Sequence, residues 1–398
     1  VSTLRQSVEI QKAAGRVPKD ENTGLRALAR RFPPSPPGSA RGVVRSMGSD
    51  EPKPWAIILC RLKGEPADQA KEAPAETLYR AVFANRSGGV GDYWRDASLG
   101  HIDVRGSQVF GWVTVSLTRA QAGGSGATTP PGPGRRGLCQ AGIDALRATG
   151  VDTSPFAGFV AVYVENWSKD GVIPPGKTQE DIPWAVWAPF WLDGSASGSF
   201  TTLTPPHAAD IVCHEMGHGF GLQHDRTPGL TKDYADPCCL MSQRPLAWDD
   251  TYGTNFGPRV CATHLLQNGW IYEHRVLRDD GGWLRSGSGT TVALAATDDA
   301  GARANLLAIL RAQPAWDYHL ELARPTGWDR GLDADLLLIR RVDLDESKNP
   351  TAIILGQVAV PTRPGETAST TEPTGNVLFE VRRGDETGRV ALVTATAL

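Results

Sequence analysis

Apolar positions change their rhythm along the chain, and the changes divide it into three stretches. Trp55–Leu62 (WAIILCRL) is almost continuously apolar, as a strand buried on both faces requires. Helices are expected over Ala75–Asn85 and Gln140–Thr149, and extended segments over Ile102–Val115 and Phe159–Val164. A Gly- and Pro-rich loop occupies 122–137, and a further helix is expected over about 206–222. This order predicts an α/β half ahead of that last helix and an irregular half behind it. A cleft between the halves suits an extended peptide paired to an edge strand. From about Asp279 the pattern becomes short apolar or alternating runs: Thr290–Ala295, Leu306–Leu310, Tyr318–Leu322, Leu336–Val342, Ala352–Val360, Val377–Val381 and Val390–Thr394. Gly, Pro, Asp and Thr separate them, and seven such runs predict a β-sandwich-like domain of about 120 residues. The first stretch fits neither pattern, because it has few large apolar residues and Phe32–Gly38 (FPPSPPG) cannot continue a helix. The expected organisation is a basic, Pro-rich extension over 1–53, a first folded domain over 54–278 and a β-rich accessory domain over 279–398.

Charge sharpens that division. Residues 1–46 carry nine Lys or Arg against Glu9, Asp20 and Glu21, a net +6 that leaves −9 on the rest of a chain whose total is −3. The extension reads as a solvated arm or as the remnant of a pro-segment. An overall charge of −3 gives no case for nucleic acid. No run of about 20 apolar residues is present, so no membrane span is expected. The chain opens Val1-Ser2-Thr3 without an apolar leader, which reads as a processed start. Six cysteines suit disulfides in a secreted, monomeric protein. A bridge from Cys261 to Cys238 or Cys239 is expected because that loop is short enough to close, with buried free thiols as the alternative.

The chemistry concentrates in one run, His214-Glu215-Met216-Gly217-His218-Gly219-Phe220-Gly221-Leu222-Gln223-His224. Residues four apart on a helix lie one above the other, so His214 and His218 can face one ion. Gly221 lets the helix stop and turn, which brings His224 back as a third imidazole. Three neutral imidazoles with an open fourth position describe a catalytic zinc, which lowers the pKa of bound water to about 7. Glu215 is placed to act as general base. The plainer alternative is a structural metal on a helix that happens to carry His and Glu.

This extended motif resembles that of the metzincin clan of zinc metallopeptidases. The resemblance implies an α+β peptidase domain, built from a mixed sheet, an active-site helix and a methionine turn, ahead of the β-sandwich-like domain. Asp236-Pro237-Cys238-Cys239-Leu240-Met241-Ser242 matches the methionine turn, with Met241 as the structural methionine that binds no zinc. Some members use a tyrosine two residues after that methionine to stabilise the tetrahedral intermediate; here the position is Gln243. Tyr93–Gly100, Val109–Val113, Gly257–Ala262, Gly269-Trp270, Tyr318–Asp329 and Leu336–Val342 are similar to segments of the immune inhibitor A-like and gametolysin-like peptidases. The likeness spans roughly residues 54–345. It implies a secreted zinc endopeptidase acting on protein or peptide substrates.

Other features remain open. Trp184, Trp187, Phe190 and Trp191 form either a substrate-pocket lining or a small local core. Arg244, Asp249 and Asp250 fall where a pocket wall is expected, while Asp233, Asp236, Asp249 and Asp250 offer carboxylates to a calcium ion without regular loop spacing. Two further readings stand beside the peptidase: a non-catalytic metzincin-like binding protein, and a zinc hydrolase of small amides or esters. Retention of Glu215 weighs against the first.

Overall fold

The computed structural model describes residues 52–84, 87–118, 121–122, 134–163, 200–203, 209–226, 236, 238–242, 247–249, 254–283, 289–299, 304–313, 316–344, 350–373 and 376–398. The fold is α+β, dominated by sheets with few helices. Among the described residues the chain forms two compact units. One takes the chain up to Arg95, His101–Gly221 and Asp249–Thr254; the other takes Asp96–Gly100, Leu222–Trp248 and Asn255–Leu398. No helix among the described residues is long and apolar enough to cross a membrane.

In the first unit, the apolar run becomes β1 (Trp55–Lys63), whose first six residues are buried. It lies inside a parallel sheet of order β2-β1-β3-β4, completed by β2 (Gln108–Thr118), β3 (Gly158–Tyr163) and β4 (Phe200–Leu203). A central parallel strand is covered on both faces, which is why its sequence does not alternate. Ala56, Ile58, Cys60 and Leu62 face α3 (Gly134–Ala148), packing with its Leu138, Cys139, Ile143 and Leu146. Tyr163 donates its hydroxyl proton to the Leu138 carbonyl at 2.7 Å, so the buried phenol is satisfied. Before these lie α1 (Gln69–Val82) and α2 (Val90–Ala97). The first starts six residues earlier than expected. The last helix of this unit, α4 (Ala209–Gly219), lies within the range expected from the motif.

Two three-residue strands follow, β5 (Ala247–Asp249) and β6 (Thr254–Phe256), and then α5 (Ala262–Gln267) and β7 (Val276–Asp279). All seven C-terminal runs are strands: β8 (Thr290–Ala295), β9 (Leu307–Gln313), β10 (Trp316–Ala323), β11 (Leu336–Leu344), β12 (Pro350–Ala359), β14 (Val377–Arg383) and β15 (Val390–Ala397). The sequence did not reveal β7 or β13 (Ala368–Thr371). Both are four-residue edge strands, in sheets of order β12-β11-β10-β9-β7 and β13-β14-β15-β8, and an edge strand needs no apolar face. Since β7 pairs with β9, the first of these sheets takes in residues just ahead of Asp279.

Residues from both C-terminal sheets share one core, including Leu294, Leu310, Leu320, Leu322, Leu337, Ile339, Phe379 and Val393. Strand alternation sends Glu321, Ala323, Leu338 and Arg340 to the other face of β10 and β11. There Ala323 and Leu338 pack with Cys238 and Leu332. Arg340 is fully buried on that face. Its Nε donates to Asp236 Oδ2 and its Nη1 to Glu321 Oε2, each at 2.5 Å. Glu321 Oε2 also accepts the Ala262 N–H at 3.0 Å, joining α5 to the same network.

Two outcomes follow for stability. Arg340→Met removes the cation and leaves two buried carboxylates uncompensated, a loss of about 3–5 kcal/mol in urea unfolding. Arg340→Lys should recover only part of it, because one ammonium cannot reproduce the fork that holds two carboxylates. Nearby, burial pushes His319 down to about 3 from its ordinary 6.5, so the folded state keeps it neutral. Its contribution is intact above pH 6.5 and is lost as pH falls toward 3, because only the unfolded chain takes up the proton. In melts across that window, wild type should lose stability faster than His319→Gln; parallel curves would refute the assignment.

Candidate functional site

The helix that carries the motif is buried on all sides: residues 212–219 are all buried. Val212, Cys213 and Met216 supply the apolar part, which leaves His214, Glu215 and His218 as polar groups enclosed among them. The four-residue spacing of His214 and His218 brings the two imidazoles edge to face, with ring centroids 4.9 Å apart and planes at 87°. Glu215 Oε1 lies 4.0 Å from His214 Nε2. The helix ends at Gly219, and the Phe220 N–H bonds back to the carbonyls of Met216 and Gly217, each at 3.0 Å. Phe220 is held edge-on by Trp55 at 5.6 Å and by Trp94 at 4.7 Å. Gly221 adopts φ 91°, the left-handed conformation anticipated for it, and donates its N–H to the His218 carbonyl at 2.9 Å. Three residues later His224 has returned: the ligand atoms of His214, His218 and His224 lie within 4.8 Å of one another, all three residues buried. Converging imidazole nitrogens with a carboxylate alongside are a donor set that suits zinc.

Met241 is fully buried in a tight turn in which the Ser242 N–H bonds to the Cys239 carbonyl at 3.0 Å. The Asp225 N–H donates to the Met241 carbonyl at 3.2 Å, so the turn braces the residue next to His224. Asp236 sets the start of this turn: its N–H bonds to Ser242 Oγ at 2.6 Å and its Oδ1 accepts the Cys238 N–H at 2.8 Å. Of the acids considered for calcium, Asp236 is engaged by Arg340, and the side chains of Asp233, Asp249 and Asp250 lie outside the described residues. Residues 1–51, Trp184, Trp187, Phe190, Trp191, Gln243 and Arg244 also lie outside them.

The cysteines differ from expectation. All six are free thiols and buried, and no bridge joins Cys261 to Cys238 or Cys239. Cys238 turns into the apolar cluster of Ala323, Leu332 and Leu338. Cys239 and Cys261 instead meet Asp225 and His264, the four ligand atoms lying within 4.8 Å of one another. Sequence reasoning missed this second group, since its members come from three separate segments. The one local signal is Cys261 and His264 three residues apart at the start of a helix.

No protein-family model matches the chain, and no curated protein does. The reading of the His cluster therefore rests on geometry, and the geometry turns on Gly221. Gly221→Ala must place a Cβ in the left-handed region at a cost of about 1–2 kcal/mol. It should lower zinc affinity by displacing His224, whereas Gly221→Asn, which tolerates that conformation, should lower it less. Chelator competition on both variants checks the order; equal affinities would show that Gly221 does not position the ligand.

Proposed function

We propose that this chain is a zinc-dependent endopeptidase of metzincin type, most like the immune inhibitor A-like and gametolysin-like peptidases. The observation that carries the reading is the convergence of His214, His218 and His224 within 4.8 Å beside the buried Glu215. These three imidazoles would hold the ion. When bound, zinc supplies Lewis acidity, acidifying water and polarising a peptide carbonyl. Glu215 takes the proton from the attacking water at its carboxylate and delivers it to the leaving amine. The backbone bond from Asp225 to Met241 supports the methionine-turn assignment.

In this reading, residues 54–278 form the peptidase domain and 279–398 a β-sandwich accessory domain. The shared core of the two C-terminal sheets supports the latter. A buttressing role for it is supported by Arg340 and Glu321, which reach from its strands to Asp236 and Ala262.

The decisive experiment separates metal binding from proton transfer. Glu215→Gln should keep its zinc and lose peptidase turnover by about 10²–10⁴-fold. His224→Ala should lose the zinc itself, because two protein ligands are fewer than a catalytic site requires. Zinc content and cleavage of casein and a peptide mixture are read on the same samples. Equal turnover in wild type and Glu215→Gln would sink the role of Glu215. Zinc without cleavage of any peptide would favour a binding protein, and cleavage of small esters alone a different hydrolase.

A further inference from the structure

We infer that Asp225, Cys239, Cys261 and His264 form a second metal site, distinct from the histidine triad, that takes a thiophilic divalent cation such as zinc in a structural role. All four side chains are buried, and one ligand atom from each lies within 4.8 Å of all the others. Two thiols, an imidazole and a carboxylate make a closed set of four, the number that a structural zinc requires. Soft sulfur donors with imidazole nitrogen select zinc over calcium or magnesium.

The hydrogen bonding points to an ion. Both carboxylate oxygens of Asp225 and Nε2 of His264 are fully buried without a hydrogen-bond partner. Oδ1 and Nε2 stand only 2.9 Å apart, yet an N–H on Nε2 would not point at the oxygen. Two electron-rich atoms at that separation need a proton or a metal cation between them, and the direction of the ring N–H disfavours the proton. His264 is oriented for this from behind. Its Nδ1 lies 3.0 Å from Gln267 Oε1, an acceptor, which places a proton on Nδ1 and leaves the Nε2 lone pair for the metal. Cys261 precedes α5 and makes no side-chain capping bond; its thiol meets that of Cys239 instead. With His264 three residues on, it presents a pair of donors from one face of the helix.

Binding balances in charge and atoms. Each thiol gives up a proton as its sulfur bonds the ion, so two protons leave as one dication enters. The buried region, which also holds Arg340, Asp236 and Glu321, keeps its net charge. The ion would tie three segments: the residue after His224, the methionine turn and the start of α5.

The test uses the full-length protein purified under mild reductant. Wild type should contain about two zinc ions, and X-ray absorption at the zinc edge should show sulfur scatterers at about 2.3 Å. The histidine triad has no sulfur, so this signal reports the second site alone and needs no variant. Cobalt substitution should give thiolate-to-cobalt charge-transfer absorption in wild type and in Glu215→Gln. Cys239→Ser and Cys261→Ser should lose that absorption while retaining about one ion at the imidazole site. Metal bound without sulfur scatterers, metal-free protein, or a Cys239–Cys261 disulfide in the unreduced peptide map would each overturn the proposal. Failure of the triad to bind zinc would not affect it, because the sulfur signal is read independently.

Discussion

The pairing of Arg340 with Asp236 and Glu321 is the interaction on which the second unit depends. Each member is an expensive group to bury, and removal of any one leaves a charge without compensation. Burial alone pushes Asp236 and Glu321 upward, and the Arg340 guanidinium pulls both back toward the ionised form. The two carboxylates in turn hold Arg340 well above its ordinary value. A guanidinium suits this place because its fixed fork reaches two acceptors at once. One side chain on β11 thereby binds the sheet to the 236–242 turn and, through Glu321, to the first residue of α5.

From that anchor, order passes to the site through the backbone. Asp236 fixes the turn through Ser242, the turn presents the Met241 carbonyl, and Asp225 docks on it beside His224. A second tie runs through Arg259: its N–H is held by Asp329 at 2.8 Å, and its carbonyl accepts the Leu240 N–H at 3.0 Å. At Gly257 a left-handed φ of 78° is combined with a close approach to the Trp328 carbonyl, which an added Cβ would meet at 1.9 Å. The turn is thus fixed from both sides by groups distant in sequence.

This explains what could be read from the sequence and what could not. The histidine motif was legible because its geometry is local: helical period and one left-handed glycine bring three imidazoles together within eleven residues. The C-terminal strands were legible because most alternate against a single core. Arg340 and Glu321 were not, since in Leu336–Val342 and Tyr318–Leu322 a charge between apolar residues reads as a solvated position. Only the neighbouring turn, supplied from about a hundred residues away, turns that face into an interior. The edge strands were missed for the opposite reason, as Ala368–Thr371 has no apolar face to announce it.

The cysteines show how surroundings rather than spacing decide chemistry. Cys60 and Cys139 lie in the apolar core of the first unit, where burial raises the Cys60 thiol and makes it inert. Cys238 sits against Ala323 and Leu338, again among hydrocarbon. Cys239 is its immediate neighbour in the chain, yet its sulfur meets Cys261, an imidazole and a carboxylate. Adjacent residues in a turn diverge, so the sequence pair Cys238-Cys239 divides into a packing residue and a candidate ligand. Loop length gave Cys238 and Cys239 equal claims on Cys261; only the side-chain directions set by the Asp236 turn distinguish them.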